Sequence, residues 1–110
     1  GLQTLRARGA SVIQLPVDDS GTFAPSALLE ILWQRGLTSV LLEGGLGVYG
    51  PFLQAGCVNR LHLFQAPKLL GGHNDAMYFG QAVRDLQFAS TRLTPLGNDW
   101  LVDAKLERIG

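Results

Sequence analysis

The feature that most constrains this chain is a glycine-rich turn placed directly after an apolar segment. Residues 38–42 (Thr-Ser-Val-Leu-Leu) predict a buried strand, because a continuous apolar run is typical of a parallel strand covered on both faces. Glu43 follows, and after it come Gly44, Gly45, Leu46, Gly47, Val48, Tyr49 and Gly50. The turn enters a helix predicted to run to about Ala55. Pro51 is expected in or near its first turn, where a missing N–H costs little.

The amino-terminal part predicts a helix, a strand, a turn and a second helix. Residues 3–8 have the pattern of a helix end, and residues 11–15 (Ser-Val-Ile-Gln-Leu) predict a short buried strand. Residues 18–21 have turn chemistry. A helix is expected over 25–35, with Gly36 at its end and its apolar residues packed on one side. Those apolar residues are Leu28, Leu29, Ile31, Leu32 and Trp33.

The carboxyl-terminal part predicts a strand, a loop and a hairpin. Residues 61–66 form the strand and residues 68–75 the loop. Residues 86–93 and 100–106 alternate in polarity and flank a turn at 95–99, which predicts an antiparallel hairpin. Right-handed crossovers would make the earlier strands parallel neighbours. The predicted fold is therefore α/β: a mixed sheet whose parallel strands are joined by helical crossovers, with the hairpin as an antiparallel edge.

Composition excludes several classes of partner. Nine basic residues offset nine acidic ones in a chain of 110 residues, so there is no long-range attraction toward nucleic acid or a membrane surface. No apolar run is long enough to cross a bilayer. The single cysteine, Cys57, cannot form a disulfide within the chain. An unpaired cysteine suits a reducing compartment, so we expect a cytoplasmic location.

The glycine turn predicts an anion-binding site. It lies between the carboxyl end of a predicted strand and a helix N-terminus, which is where open α/β sheets bind ligands. Unpaired N–H groups and the helix dipole attract anions there, and glycines allow close approach of phosphate oxygens. Residues 45–50 also match G-x-G-x-x-G, but no acidic residue follows at the dinucleotide-binding spacing. Spacing alone leaves open that the glycines only permit a tight turn.

Individual side chains have simpler interpretations. Glu43 is either a helix cap or solvated carboxylate, or an acceptor for substrate hydroxyl or amine groups. His62 and His73 have no partners at metal-ligand spacing, so no metal site is predicted. Cys57 is interpreted as a small buried hydrophobe rather than a nucleophile, and Lys68 as a solvated loop residue. The two tryptophans, Trp33 and Trp100, are expected in a core or an interface.

Four segments carry a resemblance to a known family. Residues 40–45 (Val-Leu-Leu-Glu-Gly-Gly) resemble the V-L-x-E-G-G motif of the reductase domain of bacterial bifunctional deaminase/reductase enzymes of riboflavin biosynthesis. The likeness continues through residues 52–56 and 61–72, the latter ending in the family's A-P-K-L-L-G-G. Residues 96–100 resemble its closing L-G-x-D hairpin turn. The chain departs from the family at Leu46, where a proline is frequent, and at 59–60 (Asn-Arg), where an acidic pair is frequent.

The resemblance implies a dihydrofolate-reductase-like fold of which residues 1–110 are the carboxyl-terminal portion. It implies NADPH-dependent reduction of 5-amino-6-(5-phosphoribosylamino)uracil to the ribitylamino product, by an enzyme that forms a homodimer. Glu43 falls at a substrate-contacting position. The cofactor-binding positions are Gly44, Gly45, Leu46, Gly47, Val48, Tyr49 and Gly50. The catalytic residues, including any proton donor, are not identified by the sequence.

Two other functions remain open. One is a different reductase on the same fold, acting on a folate or another pteridine; the paired E-G-G and A-P-K-L-L-G-G motifs argue against it. The other is a non-catalytic fragment that supplies an oligomer interface and binds no substrate.

Overall fold

A computed structural model describes residues 1–69 and 85–109 of the chain. The chain divides into two compact units, Gly1–Ser39 and a second that begins at Val40. The described helices are α1 (Leu2–Ala7), α2 (Pro25–Gln34) and α3 (Leu46–Gln54), and the described strands are β1 (Arg60–Gln65), β2 (Leu86–Leu96) and β3 (Asp99–Arg108). This mixed helix and strand content confirms the coarse α/β prediction. Across the described part of the chain, every helix is too short or too polar to span a membrane.

The first unit contains the two predicted helices and the predicted turn. Helix α2 begins with Pro25 at its first position and ends before Gly36, whose φ of 82° favours glycine. In the turn, Asp18 Oδ1 accepts hydrogen bonds from the Ser20 hydroxyl at 2.6 Å and from the Ser20 and Thr22 N–H groups. The bond from the Ser20 hydroxyl is the main cause that lowers the pKa of Asp18. Local chemistry therefore suffices to form these elements.

The prediction that Trp33 packs with the apolar side of α2 is wrong. Its side chain is 66% exposed, whereas Leu28, Leu29, Ile31 and Leu32 are half-buried. Each residue turns a helix by about 100°, so Trp33 lies at the margin of the stripe formed by the other four. Trp100 is also exposed, and neither tryptophan lies in a core within the chain.

The two predicted buried strands at residues 11–15 and 38–42 are also wrong. Neither segment is in a strand, and Leu41 is 79% exposed. A strand requires a neighbour for its backbone N–H and C=O groups. Among the described residues, all ladder pairs join β3 to β1 or β2, and all are antiparallel. The predicted parallel strands are therefore not part of the sheet that the structure describes.

The predicted hairpin is confirmed, with a tighter turn than expected. Strands β2 and β3 pair from Leu96↔Asp99 outward, so the turn contains only Gly97 and Asn98 rather than residues 95–99. Positive φ at Gly97 but not at Asn98 matches a type II′ turn. Strand order is β1-β3-β2, so β3 is central. Pro95 is tolerated because β2 is an edge strand in this order.

The buried apolar residues of the described structure all lie in the second unit. They are Phe52 and Leu53 of α3 and Ala104 of β3. Pro51 immediately precedes the first two and is the sixth residue of α3, so it lies in the second helical turn, whereas the sequence predicted a place in or near the first. The helix begins at Leu46, earlier than expected, so Leu46–Gly50 belong to the helix and not to the turn before it. A proline at this position removes one helical hydrogen bond.

Candidate anion-binding site at the start of helix α3

The turn before α3 is shorter than the sequence predicts. Only Gly44 and Gly45 lie between Glu43 and the helix, and Leu46–Gly50 form its first turns. Gly44 has a φ of 123°, and a Cβ there would lie 3.2 Å from Val48 Cγ2. The positive φ and the short distance to Val48 therefore favour glycine at position 44. Gly45 is the N-cap residue with a φ of −85°, a conformation open to any residue.

The first N–H groups of α3 are available to a ligand. The N–H groups of Val48 and Tyr49 donate to the Gly45 carbonyl oxygen at 2.9 and 3.2 Å. The N–H groups of Leu46 and Gly47 have no acceptor among the described residues, and no side chain caps the helix. Unpaired donors at a helix N-terminus, together with the positive end of its dipole, form a site suited to an anion.

The glycines of this segment differ in the space around them. A Cβ added to Gly45 or Gly47 would meet no described atom within 4 Å, so both backbones are open to approach. Gly50 is buried, and a Cβ there would lie 3.4 Å from Leu46 Cδ1. Among the predicted cofactor-binding positions, Leu46 and Tyr49 are half-buried and Val48 is exposed. Access for a ligand is therefore centred on Gly45 and Gly47.

Glu43 stands immediately before this turn with an exposed side chain. The structure does not use it as a helix cap, because the N-cap position of α3 belongs to Gly45. Its carboxylate has no hydrogen bond or ion pair with any described residue. The carboxylate is therefore available to a ligand at the mouth of the turn.

The remaining candidates lie outside this turn. Cys57 is half-buried, and its thiol donates to the Ala55 carbonyl oxygen with an S···O distance of 3.7 Å. Lys68 is exposed, as expected. No group of metal-ligating side chains occurs within residues 1–69 and 85–109. His73, and the predicted loop from residue 70 to 75, lie outside the described residues.

A charged cluster on the sheet was not anticipated. Arg60 binds Asp103 with two parallel hydrogen bonds, Nε to Oδ1 at 2.6 Å and Nη2 to Oδ2. His62 Nε2 lies 3.3 Å from Asp103 Oδ1. The hydrogen bond from Arg60 is the main cause that lowers the pKa of Asp103. Forty-three residues separate Arg60 and Asp103, so only the strand register brings them together. The sequence signal for this cluster is the alternation of polar and apolar residues in β1 and β3.

Comparison with known proteins places the chain in a family. The model of the RibD C-terminal domain matches residues 2–102. The curated relatives that this chain matches include the riboflavin biosynthesis protein RibD of three bacteria. The one from Bacillus amyloliquefaciens is 38% identical over 79 residues, which are 66% of this chain and 21% of the relative. The one from Actinobacillus pleuropneumoniae is 39% identical over 84 residues, 69% of this chain and 22% of the relative. The one from Mycobacterium tuberculosis (strain H37Rv) is 49% identical over 51 residues, 46% of this chain and 14% of the relative.

The chain thus spans about a fifth of the length of the first two relatives. No solved structure matches it. The family model covers nearly the whole chain, including the glycine pair, α3 and most of the hairpin. The chain belongs to the RibD C-terminal domain family.

Proposed function

We propose that this chain forms part of an NADPH-dependent reductase of riboflavin biosynthesis. The substrate is 5-amino-6-(5-phosphoribosylamino)uracil and the product is its ribitylamino counterpart. Family membership supports the assignment, as do the names of the RibD relatives. The fold proposed for the whole domain is dihydrofolate-reductase-like, and the proposed location is the cytoplasm.

The observation that carries the proposal is the start of α3. Two N–H groups, of Leu46 and Gly47, have no acceptor among the described residues, and a Cβ added at Gly45 or Gly47 would meet open space. This arrangement fits a phosphate group of a pyridine nucleotide, because backbone donors at a helix N-terminus bind phosphate. NADPH, when bound, supplies the hydride. The role proposed for this chain is to hold and orient the cofactor through its phosphate.

Glu43 is proposed to bind substrate. Its exposed carboxylate can accept hydrogen bonds from ribose hydroxyl groups or from the pyrimidine amine. Hydrogen bonds to a charged acceptor are stronger than neutral ones and orient a substrate more firmly. Placement next to the glycine pair would bring the substrate close to the proposed cofactor.

The cofactor assignment is tested by replacing Gly45 with valine in the complete reductase. A Cβ at this position has space in the protein, so the fold should survive while the branched side chain obstructs the phosphate. NADPH affinity, measured by fluorescence titration, should fall by about tenfold or more. Ala24→Val is the matched control, because Ala24 is the N-cap residue of α2. Equal NADPH affinity for Gly45→Val and the control would refute the phosphate site.

The role of Glu43 is tested by Glu43→Gln in the complete reductase. Removing the charge should raise KM for the ribosylaminopyrimidine by about tenfold while NADPH affinity stays within twofold. Glu30→Gln is the control, because Glu30 is an exposed glutamate on α2. Unchanged substrate kinetics in Glu43→Gln would leave this carboxylate without a role in the site.

Preferential reduction of a folate-type pteridine by the parent enzyme would favour the alternative reductase.

Assembly is proposed to be a two-fold homodimer. Exposed apolar side chains such as Leu41, Phe64 and Leu93 offer surface for association, and unpaired sheet edges tend to find partners. The isolated 110-residue chain should have negligible reductase turnover, since it spans about a fifth of the first two relatives. Light scattering tests the assembly: a monomer across the micromolar range would refute it.

A further inference from the structure

Two helices of the chain end in the same kind of cap. The residue after the C-cap is Gly36 in α2 and Gly56 in α3, with φ of 82° and 67°. In each cap, the N–H of the glycine and the N–H that follows it donate to carbonyl oxygens of the last helical turn. This is the Schellman arrangement, in which a positive φ favours glycine and, less often, asparagine. Backbone conformation alone would therefore make the two positions equivalent.

The space around the two glycines differs. A Cβ added at Gly36 would meet no described atom within 4 Å. A Cβ added at Gly56 would lie 2.7 Å from Nη2, 3.0 Å from Nε and 3.3 Å from Cζ of Arg108. The guanidinium of Arg108 therefore occupies the space that a side chain at position 56 would need. Glycine at this position serves both the backbone conformation and the seat of the guanidinium.

The end of β3 brings Arg108 to this cap. Residues an even number of positions apart on a strand share a face, so Arg108 lies on the same face of β3 as Ala104, which is 1% exposed. The N–H of Leu106 donates to the Asn59 carbonyl oxygen at 3.0 Å. This bond holds the segment that leaves α3 against the end of β3, next to Arg108.

A cation suits the carboxyl end of α3. The last carbonyl oxygens of a helix give that end a partial negative charge, which attracts a cation. The last turn of α3 contains no basic residue, so the nearby cation comes from β3. Arg108 makes no ion pair with a described residue, and its charge is therefore not committed to a carboxylate there.

The buried side chains of α3 lie near its carboxyl end. Phe52 and Leu53 are 6% and 4% exposed, whereas Val48 in the first turns is exposed. A helix of nine residues is about 14 Å long. Its N-terminal donors thus lie away from the anchored end, and their position depends on the direction in which that end holds the helix. Phe52 and Leu53 give one point of attachment, and the contact of Arg108 with the cap gives a second.

We propose that Arg108 is a positioning residue for the anion site at the start of α3. Its guanidinium packs against the Gly56 cap and, with the two buried side chains, sets the direction of the helix and so the position of the Leu46 and Gly47 N–H groups. The inference rests on the proposed binding of an NADPH phosphate by these groups. Arg108 lies beyond residues 2–102, so the match to the family model does not assign this role.

Asparagine at the cap tests the contact in the complete reductase. Gly56→Asn introduces a residue that tolerates positive φ, but its Cβ displaces the guanidinium. Gly36→Asn is the matched control, because it makes the same change in the same kind of cap with open space around it. Gly56→Asn should weaken NADPH binding by about fivefold, and Gly36→Asn should stay within about twofold of the parent.

Replacement of the arginine tests its role directly. Arg108→Ala should also weaken NADPH binding by about fivefold, and Arg108→Lys, which keeps the charge, should recover part of the loss. Affinity is measured by fluorescence titration at a temperature where circular dichroism shows every variant folded, so a loss of stability alone does not change it. The value of kcat at saturating NADPH should stay within about twofold. Arg92→Ala is the control, because Arg92 is an exposed arginine on the other face of the sheet.

The double variant Gly56→Asn/Arg108→Ala shows whether the two positions act through one contact. It should bind NADPH no more weakly than Arg108→Ala, because the asparagine then meets no guanidinium. Parental affinity in Arg108→Ala, or losses that simply add in the double variant, would overturn the positioning role. Gly45→Val separates this failure from that of the phosphate site. A loss in Gly45→Val without one in Arg108→Ala refutes the positioning role alone, and parental affinity in Gly45→Val refutes the phosphate site and the positioning role with it.

Discussion

Two of the glycine-bearing turns, the hairpin turn and the turn before α3, differ in what their backbones offer to a ligand. At the hairpin, Gly97 and Asn98 join two strands whose backbone groups pair with each other from Leu96↔Asp99 onward. Before α3, Gly44 and Gly45 lead into a helix whose first N–H groups lack acceptors among the described residues. The backbone groups beside the hairpin turn are used by strand pairing, whereas the turn before α3 leaves N–H donors for a ligand. Both turns contain glycine, so glycine content does not show which of them could bind a ligand. The difference is that the backbone N–H groups beside one turn are hydrogen-bonded and those beside the other are not, among the described residues.

Gly44→Val should have the largest effect on this comparison. The substitution forces a branched residue into a φ of 123° and places its Cβ 3.2 Å from Val48 Cγ2. Strained backbone of this kind costs about 3 kcal/mol, so both stability and NADPH binding should fall. Gly45→Val, with ordinary φ and open space, should lose less than about 1 kcal/mol. Chemical denaturation measures the free energy of unfolding of both variants. Equal losses of stability would show that the two glycines are not distinguished by backbone strain.

Gly97→Val should affect stability and leave ligand binding unchanged. The residue has a φ of 62°, and a β-branched side chain there should cost about 1–2 kcal/mol. Gly97→Asn should cost less, because asparagine tolerates positive φ. The complete reductase carrying Gly97→Val should keep its NADPH affinity wherever it is folded. A loss of affinity in folded Gly97→Val would mean that the hairpin turn contributes to the cofactor site.

The same contrast explains which elements the sequence predicts well. Helix α2 and the β2–β3 hairpin depend on neighbours within a few residues, namely Pro25, Gly36 and the Gly97-Asn98 turn. The apolar segment at 38–42 requires a pairing partner distant in sequence, and the described residues supply none. Apolar character therefore identified a segment suited to a strand but could not identify its partner.

The candidate site shows the same division. Glu43 and the glycine pair could be selected from local order, because a strand-like segment followed by glycines and a helix implies backbone donors. The extent of the turn was overestimated, because Leu46–Gly50 are helical despite two glycines and a following proline. The Arg60–Asp103 pair lay beyond sequence reasoning, since it depends on the β1–β3 register. Local features were predictable, and features that arise from strand pairing were not.

Gly47→Ala should give the smallest effect on stability, in the opposite direction. Gly47 is the second residue of α3, has an ordinary helical backbone, and has no described atom within 4 Å of an added Cβ. Alanine should therefore stabilise the helix by up to about 1 kcal/mol, because glycine loses more backbone entropy on folding. The added methyl group nevertheless projects beside an N–H proposed to bind phosphate, so NADPH affinity should fall by a few fold in the complete reductase. Denaturation and NADPH titration of the same variant measure the two effects together. A variant that is stabilised and binds NADPH as the parent does would indicate that glycine at this position serves neither the helix nor the ligand, and the phosphate would then have to lie nearer Gly45.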